Sequence, residues 1–297
     1  MPGPAPKSCL SPTESQRTRI PLPFLRAKDD CRAYTYTISG VCPQDSLLYS
    51  DIQFPMSFRQ RLTRAYFDVV YNRLYDSTTA KLVRYVESQE LLAERLDVAG
   101  QQRVLCVGLG TGNELTYLRA RAPSLDITGI DFSPAALQHA GEKPAGQETS
   151  LALMDARLLA FRDESFDRVL CYHVTDFLLD PTQAVTELLR VLRTEGRFVI
   201  SFPAHSDDLA LGAGLLSHGI GSRSTDANLG GALRRGMTAL MTGLVYFPLL
   251  LRPRPATFTT SQVQTLLRTL GTDECTIEHD PIYRDHLASG IKKERVQ

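Results

Sequence analysis

The sequence predicts an α/β fold built on a doubly wound, mostly parallel sheet. Beyond Gly100, short apolar runs alternate with segments of helical period. Strands that alternate with helices pair in parallel through right-handed crossovers. The strand candidates are also apolar nearly throughout, as suits a sheet covered on both faces. Composition agrees: 43% of the 297 residues are apolar and 22% charged, ordinary globular usage that excludes disordered, collagenous and coiled-coil chains.

The first elements precede the sheet. Six of the seventeen prolines fall in the first 23 residues, so 1–54 reads as a mobile leader and N-terminal extension. The domain proper then runs from 55 to 297. Over 55–99 the residues Phe58, Leu62, Phe67, Val70 and Leu74, and later Leu82, Val86, Leu92 and Leu96, recur at three-to-four spacing. This predicts two helices parted near Asp76, with Ser77 as a cap.

Residues 100–203 carry the sheet core. Strand RVLCVG leads to helix NELTYLRARA, strand DITGID to a helix opening at Ser133-Pro134, a good N-cap and N1 pair. Strands SLALMD and FDRVLCY follow, then a helix from about Pro181 to Arg193 and strand RFVISF. The pattern breaks over 204–257. Eight of the twenty glycines lie between Gly212 and Gly243, and the uncharged run Met237 to Leu251 follows. This segment reads as an inserted helical lid or, as a rival, an interfacial segment touching anionic lipid. Helix Phe258 to Leu270, capped near Thr259, Thr260 or Ser261 and ended by Gly271, precedes the last strands, CTIEHD and DHLASGIKK.

Charge and cysteines narrow the function classes. Thirty-three basic residues balance thirty-three acidic ones, so no overall field draws the chain to nucleic acid. Six scattered cysteines form no C-x-x-C pair, which points away from a zinc site or disulfide scaffold and toward a reducing, cytoplasmic compartment. No metal is expected. The N-terminus lacks the apolar core of a signal peptide, and no run reaches the roughly 18 residues of a membrane span.

The sharpest local feature is Gly108-Leu109-Gly110-Thr111-Gly112 between a strand and a helix. Glycines there let backbone approach a ligand and aim N–H groups at it. Asp131 ends the next strand and Asp155 the third, where each either contacts a ligand or caps a turn. Glu114, in the first helical turn, either meets a ligand or complements the macrodipole. His173 follows the fourth strand at the sheet edge, as a general base or as pocket lining; Tyr172 and Asp176 are weaker candidates. Tyr66, Tyr71 and Tyr75 form a helical stripe that is either core packing or, at Tyr75, a ligand contact.

Taken in order, these motifs resemble the class I S-adenosylmethionine-dependent methyltransferases over about residues 66–202, and more loosely to the C-terminus. The resemblance implies a Rossmann-like sheet of seven strands with the last antiparallel, and S-adenosyl-L-methionine as cofactor. It implies that Gly108, Gly110 and Gly112, with Leu109 and Thr111 between them, shape the methionine and ribose pocket. Asp131 would hold the ribose, Phe132 beside it would touch the cofactor, Asp155 and Ala156 frame the adenine, and Tyr75 close over the cofactor. G-x-G-x-G is the variant associated with adenosylmethionine, whereas the dinucleotide pattern wants a glycine at Asn113. Two positions depart from the family: Cys106 stands where the first strand usually carries an acid, and Thr194-Glu195-Gly196-Arg197 replaces the usual Pro-Gly-Gly turn.

The expected activity is methyl transfer to a small apolar or amphipathic acceptor. The rival readings are a cofactor-binding module without turnover and an NAD-dependent dehydrogenase.

Overall fold

The computed structural model describes residues 83–204, 256–281 and 284–294, with Ala65, Tyr66, Asp68, Asp76, Gly236, Met237 and Leu240. The leader, Tyr75 and nearly all of the expected lid lie outside the described residues.

Helix α1 (Val83–Leu96) comes first, then β1 (Arg103–Val107), α2 (Asn113–Arg121), β2 (Asp126–Asp131), α3 (Pro134–Glu142) and the short α4 (Pro144–Gln147). Next are β3 (Ser150–Leu153), β4 (Phe166–Cys171), a 3-10 turn (Thr175–Phe177), α5 (Thr182–Val191) and β5 (Leu192–Phe202). Helix α6 (Thr260–Thr269), β6 (Thr272–His279) and β7 (His286–Lys292) complete the fold. The seven strands form one sheet in the order β3-β2-β1-β4-β5-β7-β6. β1 to β5 pair in parallel, and β7 runs antiparallel to both β5 and β6. The order reverses between β1 and β4, the switch point at which open α/β sheets take ligands beyond their strand carboxyl ends.

Strand periodicity sorts the core onto two faces. Leu105 and Val107 join Val169, Phe198 and Ile200 beneath Leu188 of α5 and Val263 and Leu267 of α6. Val104 and Cys106 join Ile127, Leu170 and Val199 beneath Leu92 and Leu96 of α1, Leu115 and Leu118 of α2 and Leu137 of α3. Two of the sequence-predicted caps are seen, while the Ser77 cap lies outside the described residues. Ser133 Oγ accepts from Ala136 N at 3.1 Å, and Thr259, not Thr260 or Ser261, closes a capping box with Gln262.

Two boundaries move. Helix α5 ends at Val191, and β5 begins at Leu192, before the expected RFVISF run. Pairing with β4 jumps from Phe166–Leu192 to Arg168–Arg197, so Thr194 to Gly196 form a bulge inside the strand, with Glu195 at φ 61°. The replaced Pro-Gly-Gly turn is therefore a structural feature at the amino edge, remote from the site. Among the described residues, no helix is long and apolar enough to cross a membrane.

Candidate active site

The glycine turn links β1 to α2 with all three of its glycines in the left-handed region, φ 69°, 56° and 73° at Gly108, Gly110 and Gly112. A side chain there would be strained whatever the space. At Gly108 there is no space either: an added Cβ would lie 2.0 Å from Cγ2 of Val174, in the loop after β4. A Cβ on Gly110 would meet nothing nearer than the Gly108 carbonyl oxygen at 4.0 Å. The turn is thus packed on its β4 side and roomy above Gly110.

Four of its N–H groups are taken up within the fold rather than aimed outward as the sequence reading expected. Gly108 N and Leu109 N donate to Ile130 O at 2.8 and 2.9 Å, and Gly112 N donates to Leu109 O. Gly110 N donates to Asp131 Oδ2 at 2.8 Å, while Ser133 N donates to the other carboxylate oxygen at 2.8 Å. Asp131 therefore clamps the turn to the start of α3, and the open approach to the turn lies above Gly110. A carboxylate offers about four acceptor positions, so this clamp leaves capacity for ribose hydroxyls. Burial raises the Asp131 carboxyl to about 6, against the opposing pull of these backbone hydrogen bonds.

The other cofactor-side residues take different places. Leu109 is buried, and its Cδ2 would lie 2.5 Å from a Cβ added to Gly129 of β2, so it anchors the turn in the core. Thr111 Oγ1 donates to Asp76 Oδ1 at 2.6 Å, and Lys143 Nζ lies 2.7 Å from Asp76 Oδ2. Asn113 donates to Tyr85 Oη at 3.0 Å and accepts from Lys143 at 2.6 Å, so the residue that breaks the dinucleotide pattern ties α2 to α1. Phe132 is half-buried and Ala156 buried. Asp155 follows β3, and its carboxylate accepts from Arg157 N at 2.8 Å and pairs with the Arg157 guanidinium at 2.6 Å. The loop carrying it is pinned from α5, where Glu187 accepts from Leu159 N and Arg190 donates to Leu159 O and Phe161 O.

A second cluster stands beyond β4. His173 sits at φ 56° and its N–H donates to Ser201 Oγ of β5 at 2.7 Å. Its Nδ1 lies 3.0 Å from Asp176 Oδ2 and 3.4 Å from Asp285 Oδ2. Asp285 is fully buried and also accepts from Ala204 N, while Tyr172 Oη donates to Asp280 at 2.6 Å. Burial opposes the imidazolium charge, but the hydrogen bonds and charges of Asp176 and Asp285 overcome it and raise His173 to about 10. The three side chains bring one nitrogen and two carboxylate oxygens within 4.8 Å of one another. That donor set suits a divalent cation, and in the geometry seen it forms an ion pair. Asp285 was not a sequence candidate. It lies 109 positions beyond Asp176 in a turn before β7, and only the antiparallel return of β7 beside β5 brings it there.

Because Val174 fills the place of the missing Gly108 side chain, the His173 loop rests directly on the glycine turn. The two clusters share one carboxyl edge of the sheet.

The comparisons agree with this geometry. A family model described as a methyltransferase domain matches residues 105–200. Residues 105–200 thus resemble a methyltransferase domain. The chain is 38% identical over 111 residues to the demethylmenaquinone methyltransferase of Deinococcus radiodurans, covering 36% of this chain and 46% of that protein. It is 42% identical over 102 residues to the phosphatidylethanolamine N-methyltransferase of Cereibacter sphaeroides, covering 33% and 49%. The matched region is therefore about half the length of these curated relatives. Two solved structures share the fold. Phosphoethanolamine N-methyltransferase 2 of Haemonchus contortus, in complex with S-adenosyl-L-methionine, has a TM-score of 0.54 at 13% identity, covering 80% of this chain and 60% of that one. Magnesium protoporphyrin IX methyltransferase of Synechocystis, with bound SAH, has a TM-score of 0.51 at 13% identity, covering 79% and 100%.

Proposed function

We propose that this chain is an S-adenosylmethionine-dependent methyltransferase acting on a small apolar or amphipathic acceptor. The observation that carries the reading is the contact of Gly108 with Val174, which sets a cofactor cradle and a catalytic cluster side by side. The cradle suits the cofactor chemically. Room stands above Gly110, Asp131 retains acceptor capacity, and Asp76 and Asp131 outnumber the single Lys143 around the turn. An excess of carboxylates favours a ligand that bears a sulfonium.

Bound there, S-adenosylmethionine supplies an electrophilic methyl group. The chain supplies orientation and exclusion of water, which dominate an in-line displacement. Asp131 fixes the ribose end, Asp155 and Ala156 lie at the adenine end, and the His173 loop presents the acceptor. His173 serves as the base, taking the acceptor's proton while Asp176 and Asp285 hold the ring. Near 10 the ring is an imidazolium at neutral pH, so only its neutral fraction takes the proton, and turnover that depends on His173 rises as the pH approaches 10. Two relatives named for a quinone and a phospholipid support an acceptor with a large apolar part.

Methyl-labelled cofactor, incubated with the protein and small phenols, quinols and amphipathic amines, tests the reading. Transfer to a phenolic or quinol oxygen or ring carbon is the expected outcome. His173→Asn should lower turnover about 100-fold or more and leave cofactor binding intact; near-normal turnover would reduce His173 to pocket lining. Binding of NAD without S-adenosylhomocysteine would refute the assignment.

A further inference from the structure

Apolar exposure is concentrated in the connections that leave the carboxyl edge. Among the described residues the exposed large hydrophobic side chains are Leu158 at 39%, Leu179 at 82%, Met237 at 52% and Leu240 at 57%. Each belongs to a connection that starts at the carboxyl end of β3, β4 or β5. Met237 and Leu240 stand three positions apart in helical backbone, so they share one outward face.

The connection from β5 to α6 is rooted beside the His173 cluster. Phe258 N donates to Pro203 O at 2.8 Å, and Ala204 pairs with Phe258 in a parallel bridge. Ala204 N in turn donates to Asp285, which faces His173. The chain therefore leaves after Ala204 and returns at Phe258 at one point, next to the acceptor half of the edge.

The composition of this connection names its partner. The whole chain is balanced in charge, yet residues 227–272 hold no Asp or Glu and five arginines, Arg234, Arg235, Arg252, Arg254 and Arg268. Two stand just before the uncharged run from Met237 to Leu251 and two just after it. A run bracketed by cations, interrupted by Pro248 and shorter than a span suits the plane of a bilayer surface. Its apolar side chains enter the acyl boundary while the guanidinium groups meet lipid phosphates. A nucleic-acid surface would instead spread its cations along the strip. We infer that the connection between β5 and α6 seats the carboxyl edge on an anionic lipid bilayer. Joined to the methyltransferase reading on which this step rests, the seat gives an amphipathic acceptor a route from lipid to His173. The seating itself needs no cofactor.

Vesicle flotation of the full chain without cofactor tests the seat. Vesicles of phosphatidylcholine mixed with phosphatidylglycerol should carry the protein, vesicles of phosphatidylcholine alone should carry far less, and added salt should release it. Arg234→Gln with Arg235→Gln should weaken partitioning about 30-fold, each arginine near an anionic surface being worth about fivefold. Met237→Glu with Leu240→Glu should weaken it about 10-fold or more, and both side chains are exposed enough for the exchange to spare the fold. No flotation with the mixed vesicles, equal flotation with both kinds, or binding that survives both double variants overturns the seat. So does retention of a mixed-sequence RNA by protein that ignores vesicles. Should a double variant fail to fold, the wild-type dependence on phosphatidylglycerol and salt decides. Intact flotation by a protein that binds no S-adenosylhomocysteine would refute the methyltransferase reading and leave the seat standing.

Discussion

The two halves of the carboxyl edge are built differently. The cofactor half is local: the glycine turn, Asp131 and Asp155 lie within one run of 48 residues, 108–155. Each is fixed by the strand it ends and by hydrogen bonds that reach no further than the next strand. The acceptor half is assembled from remote pieces. His173 is held by Ser201, Asp176 and Asp285, and Tyr172 by Asp280 across 108 positions. A local half reads directly from sequence and tolerates change at a distance. A remote half depends on the last strand arriving correctly.

That difference predicts the largest effect at Asp285. Asp285→Ala removes a buried carboxylate that faces His173 and accepts from Ala204 N, and breaking a buried charged pair costs about 3–5 kcal/mol. Denaturant unfolding should show the loss, and NMR titration should show His173 falling from about 10 toward its ordinary value of 6.5. The folded value lies above the unfolded one, so the stabilisation is complete below pH 6.5 and is lost as the pH rises toward 10. Wild-type stability should decline across that window, and Asp285→Ala should flatten the decline. An unchanged slope would show that Asp285 does not hold the imidazolium.

A smaller effect tests the joint between the halves. Gly108→Ala places a Cβ 2.0 Å from Val174 Cγ2 at a residue with φ 69°. Left-handed strain and overpacking together should cost about 2–4 kcal/mol. The double variant with Val174→Ala should recover the packing part and keep the strain. If Val174→Ala recovers nothing, the His173 loop does not rest on the turn in solution, and the coupling of cofactor to acceptor site loses its basis.

Legibility followed the same division. The sheet, its order of elements, the Ser133 and Thr259 caps and the glycine turn were readable because periodicity, capping and turn chemistry are local. The direction of the turn N–H groups was not readable, because Asp131 and Ile130 reach back from the next strand to take them. The bulge at Thr194 to Gly196 escaped notice because helix α5 runs into β5 without a breaker. Asp285 was invisible because no spacing rule joins it to His173. Its one signal was a carboxylate beside a histidine, Asp285-His286, at the start of the last strand.

The smallest expected effect lies at the adenine end and decides how local the cofactor half is. Asp155 takes the Arg157 N–H and guanidinium into its own turn, while the Arg157 side chain stays 39% exposed. An exposed pair of this kind contributes about 0–1 kcal/mol, so Asp155→Ala should barely move the unfolding midpoint. Ligand binding separates the two roles that sequence left open. An adenine amino group donates to a carboxylate, whereas the hypoxanthine of S-inosylhomocysteine has no amino group to donate. If Asp155 reads the base, Asp155→Ala should weaken S-adenosylhomocysteine by about 1 kcal/mol, less than a full charged hydrogen bond because Arg157 shares the carboxylate, and leave the inosyl compound unchanged. Equal weakening of both would make Asp155 a turn cap whose loss shifts the loop. No weakening of either would move adenine recognition to Phe132 and Ala156, and the cofactor half would then read its ligand through packing alone at that end.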